Sequence, residues 1–207
     1  MKQCVIFCAG EFTGLAAPVA LGGMVIAADG GLRHTQALGL TPDMILGDFD
    51  SLGHIPAGAE VYPVEKDDTD SMLAIKKGLA AGCTQFLLYG ALDGPRIDHT
   101  MANFQALQYL ADRDARGWLI GKHQIVTVIR NASVDFPAHC RGTFSVFCLG
   151  ADAEGVSIRG SKYEMDGGTL SAGFPLGVSN QFMGKEVHVE VNKGSLLLIW
   201  DTENGIW

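Results

Sequence analysis

Between residues 1 and 130, short apolar runs alternate with longer stretches of helical period. VIFCA (5–9), MVIAA (24–28), DMIL (43–46) and FLLYG (86–90) are short and apolar on both faces, and each meets glycine or aspartate at its end. That pattern predicts buried strands of a parallel sheet covered by helices. The spacing predicts a helix over 69–81, with Met72, Ile75 and Leu79 on one face and Gly82 as the stop. A second helix is predicted over 98–110, where Met101, Phe104, Leu107 and Leu110 form a stripe.

The period changes after Gln124. TVIRNASVDF (127–136), TFSVFCLG (143–150), GVSIRG (155–160), EVHVEV (186–191) and SLLLIW (195–200) are short, β-rich and bounded by turn residues. In EVHVEV the valines alternate with polar residues, the mark of a half-buried strand. Asn192-Lys193-Gly194 reads as a hairpin loop in which Gly194 takes positive φ. The fold class expected is α/β. A parallel-sheet domain over 1–130 is followed by a smaller all-β sandwich over 131–207, and the two pack closely because no Pro/Ser-rich linker joins them.

Composition narrows the functions. The net charge of −8 disfavours nucleic acid, whose phosphates need a basic face. An acidic protein still binds ATP when a divalent cation stands between carboxylates and phosphates. No apolar run approaches the roughly 18 residues of a membrane span. The start, MKQCVIFCAGEF, does not read as a signal peptide, so the cytoplasm is expected. The five cysteines, Cys4, Cys8, Cys83, Cys140 and Cys148, form no CxxC pair and read as buried free thiols.

The candidate chemistry lies where predicted strands end. ILGDFDSL (45–52) sets two carboxylates two residues apart after an apolar run. In an extended chain Asp48 and Asp50 share a face, roughly 6–7 Å apart at Cα, and Phe49 points into the core. Read locally, Asp48 or Ser51 caps a turn and Asp50 faces water. Asp29-Gly30-Gly31 follows MVIAA, and its glycines would let backbone approach a ligand; alone, it is a tight turn. Lys66-Asp67-Asp68-Thr69-Asp70 opens the first predicted helix, where Asp68 or Thr69 serves as N-cap. The loop of 90–99 sets Arg96, a planar fork of donors suited to phosphate, beside Asp98 and His99. Right-handed crossovers bring such strand ends to one edge of the sheet. Four acidic loops of this kind converge more simply on a divalent cation than they coincide as unrelated caps. Oxygen-only ligands suit Mg²⁺, and the histidines and cysteines show no zinc spacing. P-loop, GxGxxG and GxSxG motifs are absent.

With DGG at 29–31, GDFDS at 47–51, KDDTD at 66–70, and GxRxDH at 94–99 followed by Asn103, the chain resembles the thiamine pyrophosphokinase family. GSKYEM (160–165) and GVSN (177–180) resemble that family's β-domain, so the likeness covers nearly the whole chain. The resemblance implies transfer of a diphosphate group from ATP to the hydroxyl of thiamine, giving thiamine diphosphate and AMP. It implies a homodimer with thiamine at or near the subunit interface. Asp48, Asp50 and Asp70 are then expected on Mg²⁺, and Asp98 as a further ligand or as the group that orients the alcohol. Asp29, Gly30, Gly31, Arg96, His99 and Asn103 are expected near the nucleotide, and Ser179 and Asn180 on thiamine. Tyr163, Phe182 and Trp200 are candidates for the aromatic surface under thiamine, each read more readily as core. Rival readings are a diphosphokinase or phosphotransferase for another alcohol, a non-catalytic thiamine or nucleotide sensor, and a structural protein whose acids are caps.

Overall fold

The structure, a computed structural model, describes residues 1–16, 23–50 and 52–206. In chain order the α/β half comprises β1 (Gln3–Phe7), β2 (Met24–Ala28), α1 (Leu32–Ala37), β3 (Met44–Gly47), β4 (Glu60–Val61), α2 (Asp70–Ala80), β5 (Gln85–Tyr89), α3 (Ile97–Ala111) and β6 (Arg116–Ile120). There follow β7 (Gln124–Arg130), β8 (Ser133–Phe136), β9 (Thr143–Cys148), β10 (Ala153–Arg159), β11 (Met165–Leu170), β12 (Asn180–Gln181), β13 (Val187–Lys193) and β14 (Ser195–Asp201). The apolar runs read from the sequence thus form strands, within one or two residues at each end, except the run over 127–136, which divides into β7 and β8. The short β4, β6, β11 and β12 were not foreseen. β4 and β12 are two residues long, and the glycines of β6 and β11 mask their period.

The larger sheet runs in the order β12-β9-β14-β7-β6-β5-β1-β2-β3-β4. From β6 to β4 every neighbouring pair is parallel. β6 then pairs antiparallel with β7, with Leu119 opposite Val126, and β7, β14, β9 and β12 continue antiparallel. One hydrogen-bonded sheet therefore passes from the α/β half into the β half. The second sheet, β11-β10-β13-β8, is antiparallel.

Residues of the central strands alternate between two cores. Val5 and Phe7 of β1 join one cluster, Cys4 and Ile6 the other. The second cluster takes Ala74 and Ile75 from α2 and Ala106, Leu107 and Leu110 from α3, so these helices cover that face. The first cluster takes Val156 and Ile158 from β10 and Val187, Val189 and Val191 from β13, so the four-stranded sheet covers the opposite face. Burial on both faces explains the unbroken apolar runs. Each fully buried Leu, Ile or Val contributes roughly 2 kcal/mol.

The expected hairpin at 192–194 is not one. β13 lies in the smaller sheet and β14 in the larger. Gly194, at φ 113°, turns the chain across the sandwich, and a Cβ there would stand 3.1 Å from Ala153 Cα. Asn131, at φ 46°, does the same between β7 and β8, breaking the run read over 127–136. The two crossings hold each other: Gly194 N–H donates to Asn131 Oδ1 at 2.9 Å and Asn131 N–H to Gly194 O at 3.1 Å. A β-branched period cannot distinguish a hairpin from such a corner, because both need only a positive-φ residue between two strands.

Candidate active site

Strand order sets the location of the site. β1 lies between β2 and β5, so the chain leaves β1 towards β2, β3 and β4 on one side, while β5 and β6 fall on the other. In open parallel sheets ligands bind beyond the carboxyl ends of strands at such a reversal. A cavity of about 580 Å³ opens there, lined by Asp29, Asp48, Asp50, Lys66, Asp70 and Arg96 among others. All four acidic loops reach it.

β3 ends at Gly47, and the chain then turns. The extended geometry expected for 48–50 is not what brings the acids together. Phe49 adopts φ 60° with its ring buried at 2% exposure. A left-handed conformation is costly for a bulky residue, and here burial of the ring holds it. The turn lets Asp50 N–H donate to Asp48 Oδ1 at 3.3 Å, a local carboxylate-to-backbone closure. Ser51 lies outside the described residues.

Asp29 follows β2, also in a left-handed conformation, φ 48°. Its carboxylate and those of Asp48 and Asp50 each place an oxygen within 4.8 Å of the others. Gly30 and Gly31 are buried and do not line the cavity. A Cβ on Gly31 would lie 1.9 Å from Phe7 O, so Gly31 is required by the close approach of its loop to β1.

Asp70 begins α2. Its N-cap is Thr69, whose Oγ1 accepts from Met72 N–H at 3.2 Å. Asp68, also in the cavity lining, is held by Lys76, both oxygens at 2.7 Å. Asp70 stands with Lys66 instead: the ammonium is 3.1 Å from Asp70 Oδ1 and 2.8 Å from Asp48 Oδ2. The Lys66 hydrogen bond holds the Asp48 carboxyl below the ordinary aspartate value. Burial pushes the Asp70 carboxyl up despite Lys66. Burial alone would lower Lys66, but Asp48 and Asp70 outweigh it and the ammonium is held above its ordinary value. Lys66 was not singled out from the sequence; its signal was a lone cation at the head of an acidic run.

Arg96, at the end of the loop after β5, and His99, in the first turn of α3, reach the cavity, and both are exposed. Arg96 forks onto Asp98, with Nη2 at 2.6 Å from Oδ2 and Nε at 3.2 Å from Oδ1. This pair lowers the Asp98 carboxyl. Asp98 itself is exposed and does not line the cavity. Asn103 is buried, and both ends of its amide are engaged: Nδ2 donates to Ala91 O at 2.7 Å, and Oδ1 accepts from Ser71 Oγ at 2.9 Å. It ties the loop after β5 to the first turn of α2.

Ser179 and Asn180 are not brought to the acids within one chain. They lie at and before β12, with seven strands between β12 and β3 in the sheet. Ser179 is exposed at φ 57°, its N–H donating to Ser145 Oγ at 3.0 Å. Asn180 is buried and exchanges two hydrogen bonds with the Tyr163 backbone, at 2.7 and 3.0 Å. Of the three aromatic candidates, Phe182 and Trp200 belong to the core and Tyr163 is 59% exposed.

Comparison with known proteins agrees with this layout. Residues 23–119 match the family model described as thiamin pyrophosphokinase, catalytic domain, and residues 128–196 that of the thiamin pyrophosphokinase vitamin B1 binding domain. The thiamine pyrophosphokinase of Bacillus subtilis (strain 168) is 26% identical over 188 residues, covering 86% of this chain and 87% of that protein. A crystal structure of thiamine pyrophosphokinase from Bacillus subtilis superposes with a TM-score of 0.84 at 22% identity, covering 97% of this chain and 99% of that one. The yeast thiamin pyrophosphokinase structure gives 0.75 at 13% identity, over 98% and 87%. At these identities the superpositions establish the fold. The adjoining family matches carry the assignment: the chain belongs to the thiamin pyrophosphokinase family.

Proposed function

We propose that the protein transfers the diphosphate group of ATP to the hydroxyl of thiamine, yielding thiamine diphosphate and AMP. The observation that carries this reading is that both family matches, catalytic and vitamin B1 binding, lie side by side in one chain whose acidic loops meet in one cavity.

The donor set fits a hard divalent cation. Asp29, Asp48 and Asp50 offer oxygens mutually within 4.8 Å, with no sulfur or imidazole among them. We assign Mg²⁺ to these acids, with Asp70 at the rim, directly or through water. Bound there, Mg²⁺ would neutralise phosphoryl oxygens as charge develops on them. Asp48, held below the ordinary aspartate value, stays anionic near neutral pH and keeps its part of that site.

The remaining work is positioning. Arg96 presents phosphate donors from the loop after β5, with His99 beside it. Asp98 serves as a further ligand or as the group that orients the attacking alcohol and takes its proton as a weak base; it stands outside the cavity lining on Arg96, so either role needs Arg96 to turn from it to phosphate. Asp29 lines the nucleotide side, Gly30 and Gly31 bring its loop close against β1, and Asn103 ties the loop after β5 to α2. Residues 1–130 serve as the ATP- and Mg²⁺-binding catalytic domain, and residues 131–207 as the thiamine-binding and dimerisation domain. Ser179 and Asn180 lie far along the sheet from Asp48, so a homodimer would supply them to the cavity from the partner subunit. The acidic cavity also favours the cationic thiazolium of thiamine. The setting assigned is the cytoplasm.

Incubation of the protein with ATP and thiamine, with and without Mg²⁺, and with AMP and thiamine diphosphate quantified, tests the reading. Stoichiometric formation of both products only when Mg²⁺ is present is expected. AMP formation with another alcohol in place of thiamine would assign the site to a different acceptor, and no AMP with any acceptor would reject diphosphotransfer.

A further inference from the structure

Lys66 holds the carboxylates on which the proposed chemistry depends. Its ammonium has three donors. Two of them donate to Asp48 Oδ2 at 2.8 Å and to Pro63 O at 3.2 Å, and the ammonium stands 3.1 Å from the buried Asp70 Oδ1 as an ion pair without hydrogen-bond geometry. Its side chain is only 13% exposed, as is that of Asp48. This is not a solvated surface pair. It joins two separate loops, after β3 and before α2, that both line the cavity.

The charge balance gives Lys66 a part in the reaction cycle. Asp29, Asp48, Asp50 and Asp70 crowd one cavity with no other cation bonded to Asp48 or Asp70 among the described residues. Like charges this close destabilise one another, and an ammonium between them offsets that repulsion. A divalent cation on Asp48 would sit within a few ångströms of the ammonium and repel it. An incoming triphosphate would offer the same ammonium new anionic oxygens. Lysine suits such an exchange, being a point charge on a flexible stem with no fixed fork.

We propose that Lys66 is a built-in counter-cation of the acidic cavity, which clasps Asp48 and Asp70 until the metal nucleotide arrives and then passes from those carboxylates to the phosphate oxygens. This rests on the diphosphotransferase reading for its second half only. The clasp competes with metal whatever the acceptor is.

The test uses the full-length protein without nucleotide, titrated with Mn²⁺ alone and followed by the loss of the free-ion electron paramagnetic resonance signal. Lys66→Met should bind Mn²⁺ about tenfold more tightly than the parent, because the competing charge is gone. Lys66→Arg should bind as the parent does. In turnover, Lys66→Met should raise the KM for the ATP–Mg²⁺ complex about tenfold and leave the KM for thiamine within about twofold, since only phosphate loses a contact. Lys66→Gln, which keeps a polar stem, serves if the methionine variant melts early. Mn²⁺ affinity unchanged or weaker in both neutral variants, or no Mn²⁺ binding by any of the proteins, would overturn the proposal. Tighter Mn²⁺ binding without any AMP formation by the parent would uphold the clasp and reject the diphosphotransfer reading alone.

Discussion

Asp50 N–H donates to Asp48 Oδ1 at 3.3 Å across a Phe49 held at φ 60°. Two carboxylates converge because the apolar residue between them is buried in an unfavourable conformation. The site is thus fastened to the core by a ring that takes no part in chemistry.

Phe49→Ala should lower stability by about 3 kcal/mol, because the buried ring is lost while the left-handed backbone remains. For a chain of this size that is a fall in Tm of roughly 8 °C. Activity measured below the new Tm should fall as well, since the Asp48–Asp50 closure loosens. A melting curve indistinguishable from the parent's would show that the ring does not anchor the turn.

Asp50→Asn should remove about a hundredfold or more of turnover while shifting Tm by no more than about 2 °C. Asp50 is exposed, and its hydrogen bond to Asp48 uses the backbone N–H, so the fold loses little. Steady-state kinetics and a thermal melt on the same sample decide it. Full activity would take Asp50 out of the mechanism.

Asp70→Asn should raise Tm at pH 7. Burial lifts the Asp70 carboxyl above its ordinary value of 3.8. The protonated form is therefore favoured in the folded state. That contribution to stability is complete below the unfolded value and is lost as pH rises through the folded one. At neutral pH the charged group is carried at a cost, which asparagine removes. The gain in Tm should shrink as pH falls towards 4 and vanish below it. Asp48 acts in the opposite sense: its lowered carboxyl stabilises the fold above the unfolded value, and this is lost as pH falls through the folded one. A variant that melts lower than the parent at pH 7 would mean the ion pair with Lys66 outweighs burial.

Mixing Asp50→Asn with Ser179→Asn tests whether two subunits build one site. Asparagine tolerates the left-handed conformation of Ser179 while filling the space before it. Each homodimer should be inactive. After unfolding and co-refolding in equal amounts, about a quarter of sites should recover, because half the dimers are mixed and one of their two sites is intact. Light scattering gives the oligomeric state in the same experiment. No recovery from a dimeric mixture would place Ser179 outside the partner's site.

The sequence by itself determined β1, β2, β3, β5, α2 and α3 of the α/β half and the strand ends at which the acids stand. VIFCA, MVIAA and FLLYG could be read because burial on both faces leaves an unbroken apolar run. Thr69 could be read as a cap because its role is local, a hydroxyl meeting an amide three residues on. The alternation in EVHVEV likewise reports a local fact, which face of β13 is buried. The tertiary structure alone decided the rest. Gly194 reads the same in a hairpin as in a corner between sheets, and only strand pairing separates the two. The left-handed Phe49 follows from the pocket that takes its ring, which no residue within the motif announces. Lys66 reaches Asp48 across 18 positions of chain, and Asp29 joins Asp48 and Asp50 only because β2 and β3 are neighbours. Local period and capping are short-range physics and are written along the chain. The partners of a charge are set by which strands lie side by side.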